Sequence, residues 1–133
     1  MAGAKSLYYL LKNAAAVTAI VGTGDNARIY PLRLPQKLAF PAITYQQITN
    51  VPTNQKDAVS GFDKVYFDVD CWSKDYDQVI ALGAAVRAAL DRITITSQGE
   101  TVNMIVFQRE VDGFDNNAEI FHKLMQFLFV IIR

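Results

Sequence analysis

Hydrophobic and polar residues alternate strictly along residues 62–72, which is the pattern of a β-strand with one buried face. The residues of the face predicted to be buried are Val65, Phe67, Val69 and Cys71. The residues of the face predicted to meet solvent or a partner are Tyr66, Asp68, Asp70 and Trp72. Aromatic side chains on an otherwise polar face are typical of partner surfaces, although cover by a helix or loop would explain them equally well.

A helical repeat follows after a short break and predicts a helix over residues 75–92. Its apolar positions are Val79, Leu82, Val86 and Leu90. Ser73 or Asp75 can serve as its N-cap. A second amphipathic helix is predicted over residues 4–20, ending at Gly22 and Gly24. Its apolar positions are Leu7, Leu10, Leu11, Ala14 and Val17.

Three further stretches have strand patterns: residues 42–50, 102–111 and 118–133. The last stretch fits either a strand or a helix, and its phenylalanines and isoleucines favour a strand. Both of its faces become apolar toward the end, so we expect it to be central in the sheet or covered on both sides. Short extended pieces are predicted at Ile29–Tyr30 and at residues 93–96. The connection 51–61 is longer than a tight hairpin loop and rich in turn residues, which predicts a projecting arm or flap, although a merely tolerated floppy loop would explain it equally well.

Taken together, these elements predict an α+β fold in one domain spanning residues 1–133. We expect a mostly antiparallel four-stranded sheet with two main helices, in the order α-β-β-α-β-β.

The charge balance restricts the partners of this chain. Lys plus Arg and Asp plus Glu number 13 each, so the net charge is zero. Nonspecific binding to nucleic acid needs a positive surface, so we expect no nucleic-acid partner from composition. The apolar run 124–132 has nine residues, whereas a membrane-spanning helix needs about 20, so we expect no membrane partner.

The residues that could carry chemistry do not assemble into a catalytic, cofactor or metal motif. Residues 22–27, GTGDNA, match a dinucleotide fingerprint in letters but follow a predicted helix instead of a strand. Asp63, Asp68 and Asp70 are too few to complete the six oxygens that a hard cation prefers. Cys71 and His122 could pair only if the thiol left its buried face. We therefore expect no catalytic residue, no cofactor and no bound metal.

Three segments in this order resemble the tail completion or tail terminator proteins of long-tailed bacteriophages and prophages. They are LYYLLKNAAAVTAIVG followed by RIYPLRLPQ, then FPAITYQQITNVPTN, then VYFDVDCWSKDYDQVIALGAAVRAAL. The resemblance spans Leu7 to Leu90 and follows less clearly in the C-terminal third. It implies a non-enzymatic structural protein of the virion tail or neck, present in the host cytoplasm during assembly. It also implies a ring, commonly of six subunits, that caps the tail tube and meets the head–tail connector.

A ring needs two different patches on each subunit. The first hypothesis is that the arm contacts a neighbour or another tail protein through Thr53, Asn54, Gln55, Lys56, Asp57 and Ser60. The second is that the strand face formed by Tyr66, Asp68, Asp70 and Trp72 is an interface.

Three alternatives to this assignment stay open. The first is another head–tail joining or minor tail protein of the neck. The second is a small ligand-binding domain or enzyme. The third is a nucleic-acid contact through Arg28, Arg33 and Lys37.

Overall fold

The computed structural model describes residues 3–24, 27–33, 40–54, 59–97, 99–116 and 119–132. Three helices and six strands follow one another along these residues. In chain order they are α1 (Ala4–Lys12), α2 (Ala15–Val21), β1 (Ile29–Pro31), β2 (Ala42–Asn54), β3 (Val59–Ser73), α3 (Tyr76–Leu90), β4 (Ile95–Ser97), β5 (Glu100–Asp115) and β6 (Ile120–Ile132).

All six strands form one mixed sheet in the order β1-β2-β3-β6-β5-β4, which curls into a half-barrel. β1 pairs with β2 in parallel, and every other pairing is antiparallel. The prediction of a mostly antiparallel four-stranded sheet in the order α-β-β-α-β-β was therefore wrong. β1 and β4 are three residues long, too short for an alternation to be read, and only their hydrogen bonds to a neighbouring strand assign them to the sheet.

The predicted N-terminal helix is two helices, so the expected total of two main helices was also wrong. The break falls at Asn13 and Ala14, where Ala14 is extended. The Tyr9 carbonyl accepts from the Asn13 side-chain amide at 2.8 Å as well as from the Asn13 backbone N–H at 3.1 Å, a local side-chain bond of the kind that asparagine forms at helix ends. The break leaves no mark on the apolar periodicity, which runs through both helices.

The core lies between the helices and one face of the sheet. Phe67, Phe127 and Phe129 are fully buried at its centre, and the rings of Phe67 and Phe129 are 4.9 Å apart. The predicted buried faces of β3 and α3 are confirmed, because all eight of their apolar residues are 0 % exposed. Asp75 is the N-cap of α3 and accepts from the Asp77 amide at 3.1 Å.

β6 is a strand, as its aromatic and β-branched residues predicted. It lies between β3 and β5 along its whole length, so the expectation of a central strand is confirmed. Its neighbour β5 contains a register shift at Gln108, and β2 contains one at Ile48. Such bulges increase local twist and fit the curl of the sheet.

The hairpin formed by β2 and β3 is longer than predicted, because pairing continues as far as Asn54 and Val59. β3 pairs with β6 only from Phe62 onward, so the end of this hairpin extends past the described part of β6. Residues 55–58 lie outside the described residues, and these include Gln55, Lys56 and Asp57 of the predicted arm. The arm therefore stays a prediction, now at the end of a paired hairpin.

Candidate functional site: the open face of the sheet

The helices pack against one face of the sheet and leave the other face open among the described residues. The four residues predicted as an interface on β3 lie together on this open face, and each is partly exposed. They are Tyr66, Asp68, Asp70 and Trp72. The alternation of β3 therefore placed this set correctly, because a strand turns successive side chains to opposite faces.

Side chains of β6 and β5 continue the open face beyond β3. Tyr66 lies level with Leu128 of β6 and Val106 of β5, and Asp70 lies level with Leu124 and Val111. The apolar residues of this face, each at least partly exposed, are Leu124, Leu128, Val130, Met104, Val106 and Val111. The open face is thus an apolar strip beside a polar corner, an arrangement typical of partner surfaces.

Sequence reasoning missed the contribution of β6 and β5 to this surface. The signal was present, because both faces of the last strand become apolar. The two apolar faces predict a central strand, and this prediction is correct. The pattern of a single strand, however, does not reveal which strands flank it. Only the order β3-β6-β5 brings the leucines of β6 beside Asp68 and Asp70.

The polar corner is built around Trp72. Its indole N–H donates to Thr44 Oγ1 at 2.9 Å, and its ring stacks on His122 with centroids 4.9 Å apart. His122 Nδ1 lies 3.1 Å from Asp70 Oδ1. The His122 ring lies over Gly113, where a Cβ atom would meet His122 Cε1 at 2.8 Å. Stacking, hydrogen bonding and a glycine therefore fix the position of the two rings.

Two carboxylates lie next to these rings. Burial raises the pKa of Asp70, although the neighbouring His122 opposes that rise. Burial also raises the pKa of Asp68, and the positive charge of Arg109 opposes it. Asp68 Oδ1 is buried and has no hydrogen-bond partner among the described residues.

The hollow beside these carboxylates has a volume of about 120 Å³. Sites for small molecules usually measure about 300–1,000 Å³, so this hollow is too small for a typical substrate. Among the described residues, no group of three or more histidine, cysteine, aspartate and glutamate side chains is arranged to hold a metal ion. The geometry here favours a surface for a macromolecular partner over a substrate pocket.

Cys71 and His122 do not form a catalytic pair. Cys71 is fully buried on the helix-covered face, and burial raises the pKa of its thiol far above the ordinary value. His122 lies on the open face, where it is level with Trp72. The sheet separates the two side chains, because adjacent positions of a strand point to opposite faces.

Lys123 was not singled out from the sequence, and it is a buried cation on the helix-covered side. Its Nζ lies 2.9 Å from Asp112 Oδ1 and 3.6 Å from Glu110 Oε1. Burial lowers the pKa of Lys123, but the hydrogen bond and charge of Asp112 outweigh it and leave the pKa raised. Gly83 of α3 gives the lysine chain its space, since a Cβ there would lie 2.5 Å from Lys123 Cδ.

Residues 5–132 match the family described as Tail completion protein gp17. The chain belongs to this family. It is therefore a structural protein of the phage tail type, and the resemblance found in the first two thirds of the sequence is confirmed and extends through β6.

A solved relative has the same fold as this tail completion family protein. It is a chain in the "Virion of native gene transfer agent (GTA) particle", with a TM-score of 0.79 and 18 % sequence identity. The alignment covers 96 % of this chain and 92 % of that one. At this identity the likeness shows the fold alone. Comparison with curated protein sequences finds no match.

The remaining predicted positions of this family member fall at the end of the β2–β3 hairpin. The backbones of Thr53, Asn54 and Ser60 belong to the paired strands β2 and β3. The β2–β3 hairpin thus brings these three positions to one end of the molecule, away from the polar corner around Trp72.

Of the three basic residues considered for nucleic acid, Arg28 has a structural role. Its Nε donates to the Pro41 carbonyl at 2.7 Å and its Nη2 to the Ile20 carbonyl at 3.1 Å. Arg33 is exposed, and Lys37 lies outside the described residues. Among the described residues of this family member, no helix is both long and apolar enough to cross a membrane.

Proposed function

We propose that this tail completion family protein closes the tail tube at its head-proximal end as a homo-oligomeric ring of six subunits, and helps to join the tail to the head. Its partners are copies of itself, the tail tube protein and the proteins of the head–tail connector. It acts in the neck region of the virion and assembles there from the host cytoplasm. It has no catalytic role.

The observation that carries the proposal is the family match over residues 5–132. The surface described above supports it in physical terms. A ring subunit that also meets tube and connector must offer several distinct patches, because head-to-tail contacts join unlike surfaces. The open face and the end of the β2–β3 hairpin are two such patches on different parts of the molecule.

The open face is suited to a stable contact because its rings are held in place before binding. Trp72 and His122 are already stacked and hydrogen-bonded, so docking against them orders few side chains. Tryptophan and tyrosine side chains contribute most to binding when they become fully buried. Trp72 and Tyr66 are therefore the residues of this face expected to matter most.

The first test is the state of the purified protein in solution. Light scattering coupled to size exclusion should give a mass of about 89 kDa, six times the 14.8 kDa of one chain. Electron microscopy should show annular particles. A mass of 14.8 kDa at every concentration, and also in the presence of tail tubes, contradicts the ring.

The second test is genetic and addresses the position of the ring. Deletion of the gene from the phage or prophage that carries it should give tails of abnormal length that do not join heads. Tails of normal length that remain unattached favour a joining protein of the neck instead. Normal virions contradict both assignments.

The third test concerns the predicted arm. Deletion of residues 54–59 shortens the β2–β3 hairpin beyond its pairing with β6 and should leave a folded protein that no longer forms rings. Circular dichroism and urea unfolding serve as the control for folding. An unchanged oligomer measured by light scattering counts against a role of the arm in the ring.

A further inference from the structure

The outer edge of β2 is covered over only part of its length. β1 pairs with Ile43–Tyr45, and the Leu32 amide donates to the Tyr45 carbonyl. Beyond that point, residues 46–51 have no partner on their outer side among the described residues. Pro52 follows and has no N–H to donate, so within the described part of the chain residues 46–51 form a free edge of six residues bounded at both ends.

The outer edge of β5, at the other side of the sheet, is also only partly covered. β4 pairs with Glu100–Val102, the 92–93 segment bonds to Ile105, and Asp91 accepts from the Phe107 amide. Beyond these contacts, residues 109–114 have no backbone partner on their outer side within the part of the chain that the structure describes. This second free edge is also six residues long.

The directions of these two edges suit each other in a ring. The four long strands are ordered β2-β3-β6-β5 and each pair is antiparallel, so β2 and β5 run in opposite directions. Rotation about the ring axis keeps the up or down sense of every strand along that axis, even when the strands are tilted from it. The β2 edge of one subunit therefore meets the β5 edge of the next as an antiparallel pair. Backbone hydrogen bonds perpendicular to the strands can join such a pair.

The offset between the edges also suits closure. The middle of the β2 edge is level with Tyr66 of β3, whereas the middle of the β5 edge is level with Asp70 and Cys71. This offset of four to five residues is about 15 Å, and four strands span about 19 Å. Their ratio corresponds to a strand tilt of about 38°, and closed sheets tilt their strands by about 35–45°.

The side chains along the two edges do not oppose such pairing. Ile48 and Val51 on β2, and Val111 and Phe114 on β5, are apolar and 45–49 % exposed. Edge strands that must stay single usually carry unpaired charges. The two carboxylates of the β5 edge, Glu110 and Asp112, are instead paired with Lys123 on the helix-covered side.

We infer that neighbouring subunits of the ring join their sheets edge to edge, residues 46–51 of one copy pairing antiparallel with residues 109–114 of the next. This inference rests on the proposed ring and names its subunit contact. It leaves the open face available for the tail tube and the connector, and the arm at the end of the β2–β3 hairpin can add to the contact with the neighbouring subunit.

Disulfide cross-linking tests the contact and its register. Thr49 and Val111 both lie on the open face, and the offset brings them level across the subunit boundary. Within one chain they are separated by three strand spacings, about 14 Å, and by an offset of four residues along the strands, which together are beyond the reach of a disulfide. Native Cys71 is fully buried and should not interfere. The Thr49→Cys/Val111→Cys protein should form, on oxidation, a ladder of covalent oligomers up to a closed hexamer.

In the matched control, the second cysteine is placed at Met104 instead of at Val111. Met104 lies on the same strand and face as Val111, but beside the covered part of the edge. The Thr49→Cys/Met104→Cys protein should give no ladder. Rings that form without any cross-link in the first variant, or that cross-link equally in the control, overturn the edge contact and leave the ring itself standing. Failure of the unmodified protein to form rings overturns both.

Hydrogen exchange on the unmodified protein gives a second readout that does not depend on cysteine variants. Ile105 turns its N–H and C=O outward, and alternation past the bulge at Gln108 turns those of Glu110 and Asp112 outward too. The Asp112 amide should exchange fast in the monomer and at least tenfold more slowly in the ring. Equal rates in the two states contradict the edge contact.

Discussion

Replacement of Gly113 by alanine tests how the polar corner of the open face is held together. The backbone of Gly113 is outside the left-handed region, so alanine suffers no strain there and should by itself stabilise the strand by about 0.4–1 kcal/mol. Its Cβ, however, would lie against the His122 ring, 2.8 Å from Cε1 and 3.1 Å from Cδ2. The ring must move, and it loses its stacking on Trp72 and its hydrogen bond to Asp70.

The expected cost follows from these two contacts. A stacked ring pair contributes about 0.5–1.5 kcal/mol and a hydrogen bond about 0.5–1.5 kcal/mol. The two contacts together are worth about 1–3 kcal/mol, so after subtraction of the gain from alanine Gly113→Ala should lower the free energy of unfolding by up to about 2.5 kcal/mol, with a middle value of about 1 kcal/mol. Urea denaturation measures this value, and the fluorescence of Trp72, the single tryptophan, reports the loss of stacking directly.

A double-mutant cycle decides whether the His122 ring is the cause. In a His122→Ala background the space over residue 113 is open, so Gly113→Ala should become neutral or stabilising there. The sign of the alanine effect should thus reverse between the two backgrounds. An equal cost of Gly113→Ala in both backgrounds would refute the reasoning.

Three further predictions concern the stability of the fold. Phe67→Ala should cost about 3–5 kcal/mol of unfolding free energy in urea titrations because Phe67 is fully buried, whereas Ile80→Ala, at a half-exposed position of α3, should cost less than about 0.5 kcal/mol; similar costs would contradict the assigned core. Hydrogen bonds from Lys123 and Tyr76 lower the pKa of Asp112, so their stabilisation is complete above pH 3.8 and is lost as the pH falls through the lower folded pKa. Asp112→Asn should therefore reduce stability at neutral pH and flatten its decline below pH 3.8, and parallel pH profiles of the two proteins would argue against the pairing. Cys71 should react with a thiol reagent only at the rate of unfolding, since it is fully buried with a raised thiol pKa, and immediate labelling of the folded protein would exclude that placement.

Only part of the open face could be predicted from the sequence. Tyr66 and Asp68 were placed correctly on one face because the alternation of β3 is a local property. Their neighbours Leu128 and Gln126 come from β6, about 60 residues further along the chain. No local pattern specifies that pairing, so the apolar strip of the open face could not be predicted.

The errors in the fold have a similar origin. The break between α1 and α2 at Asn13 and Ala14 falls inside a continuous apolar repeat, so the periodicity does not reveal it. The short strand β1 exists because the backbones of Arg28 and Ile43 meet at 2.8 Å, a contact between residues that are far apart in the unfolded chain. The sequence predicted an extended piece at Ile29–Tyr30, but only this tertiary contact pairs it with β2 and makes it a strand of the sheet.

The sequence by itself determined the long strands, the helix α3, the buried face of each and the likeness to tail completion proteins, because periodicity and residue order are written along the chain. Tertiary structure alone decided the order of the strands, the stacking of Trp72 on His122 and the two free edges at β2 and β5. These depend on which distant segments meet, and that choice is made by the packing of the whole core around Phe67, Phe127 and Phe129 and not by any one segment.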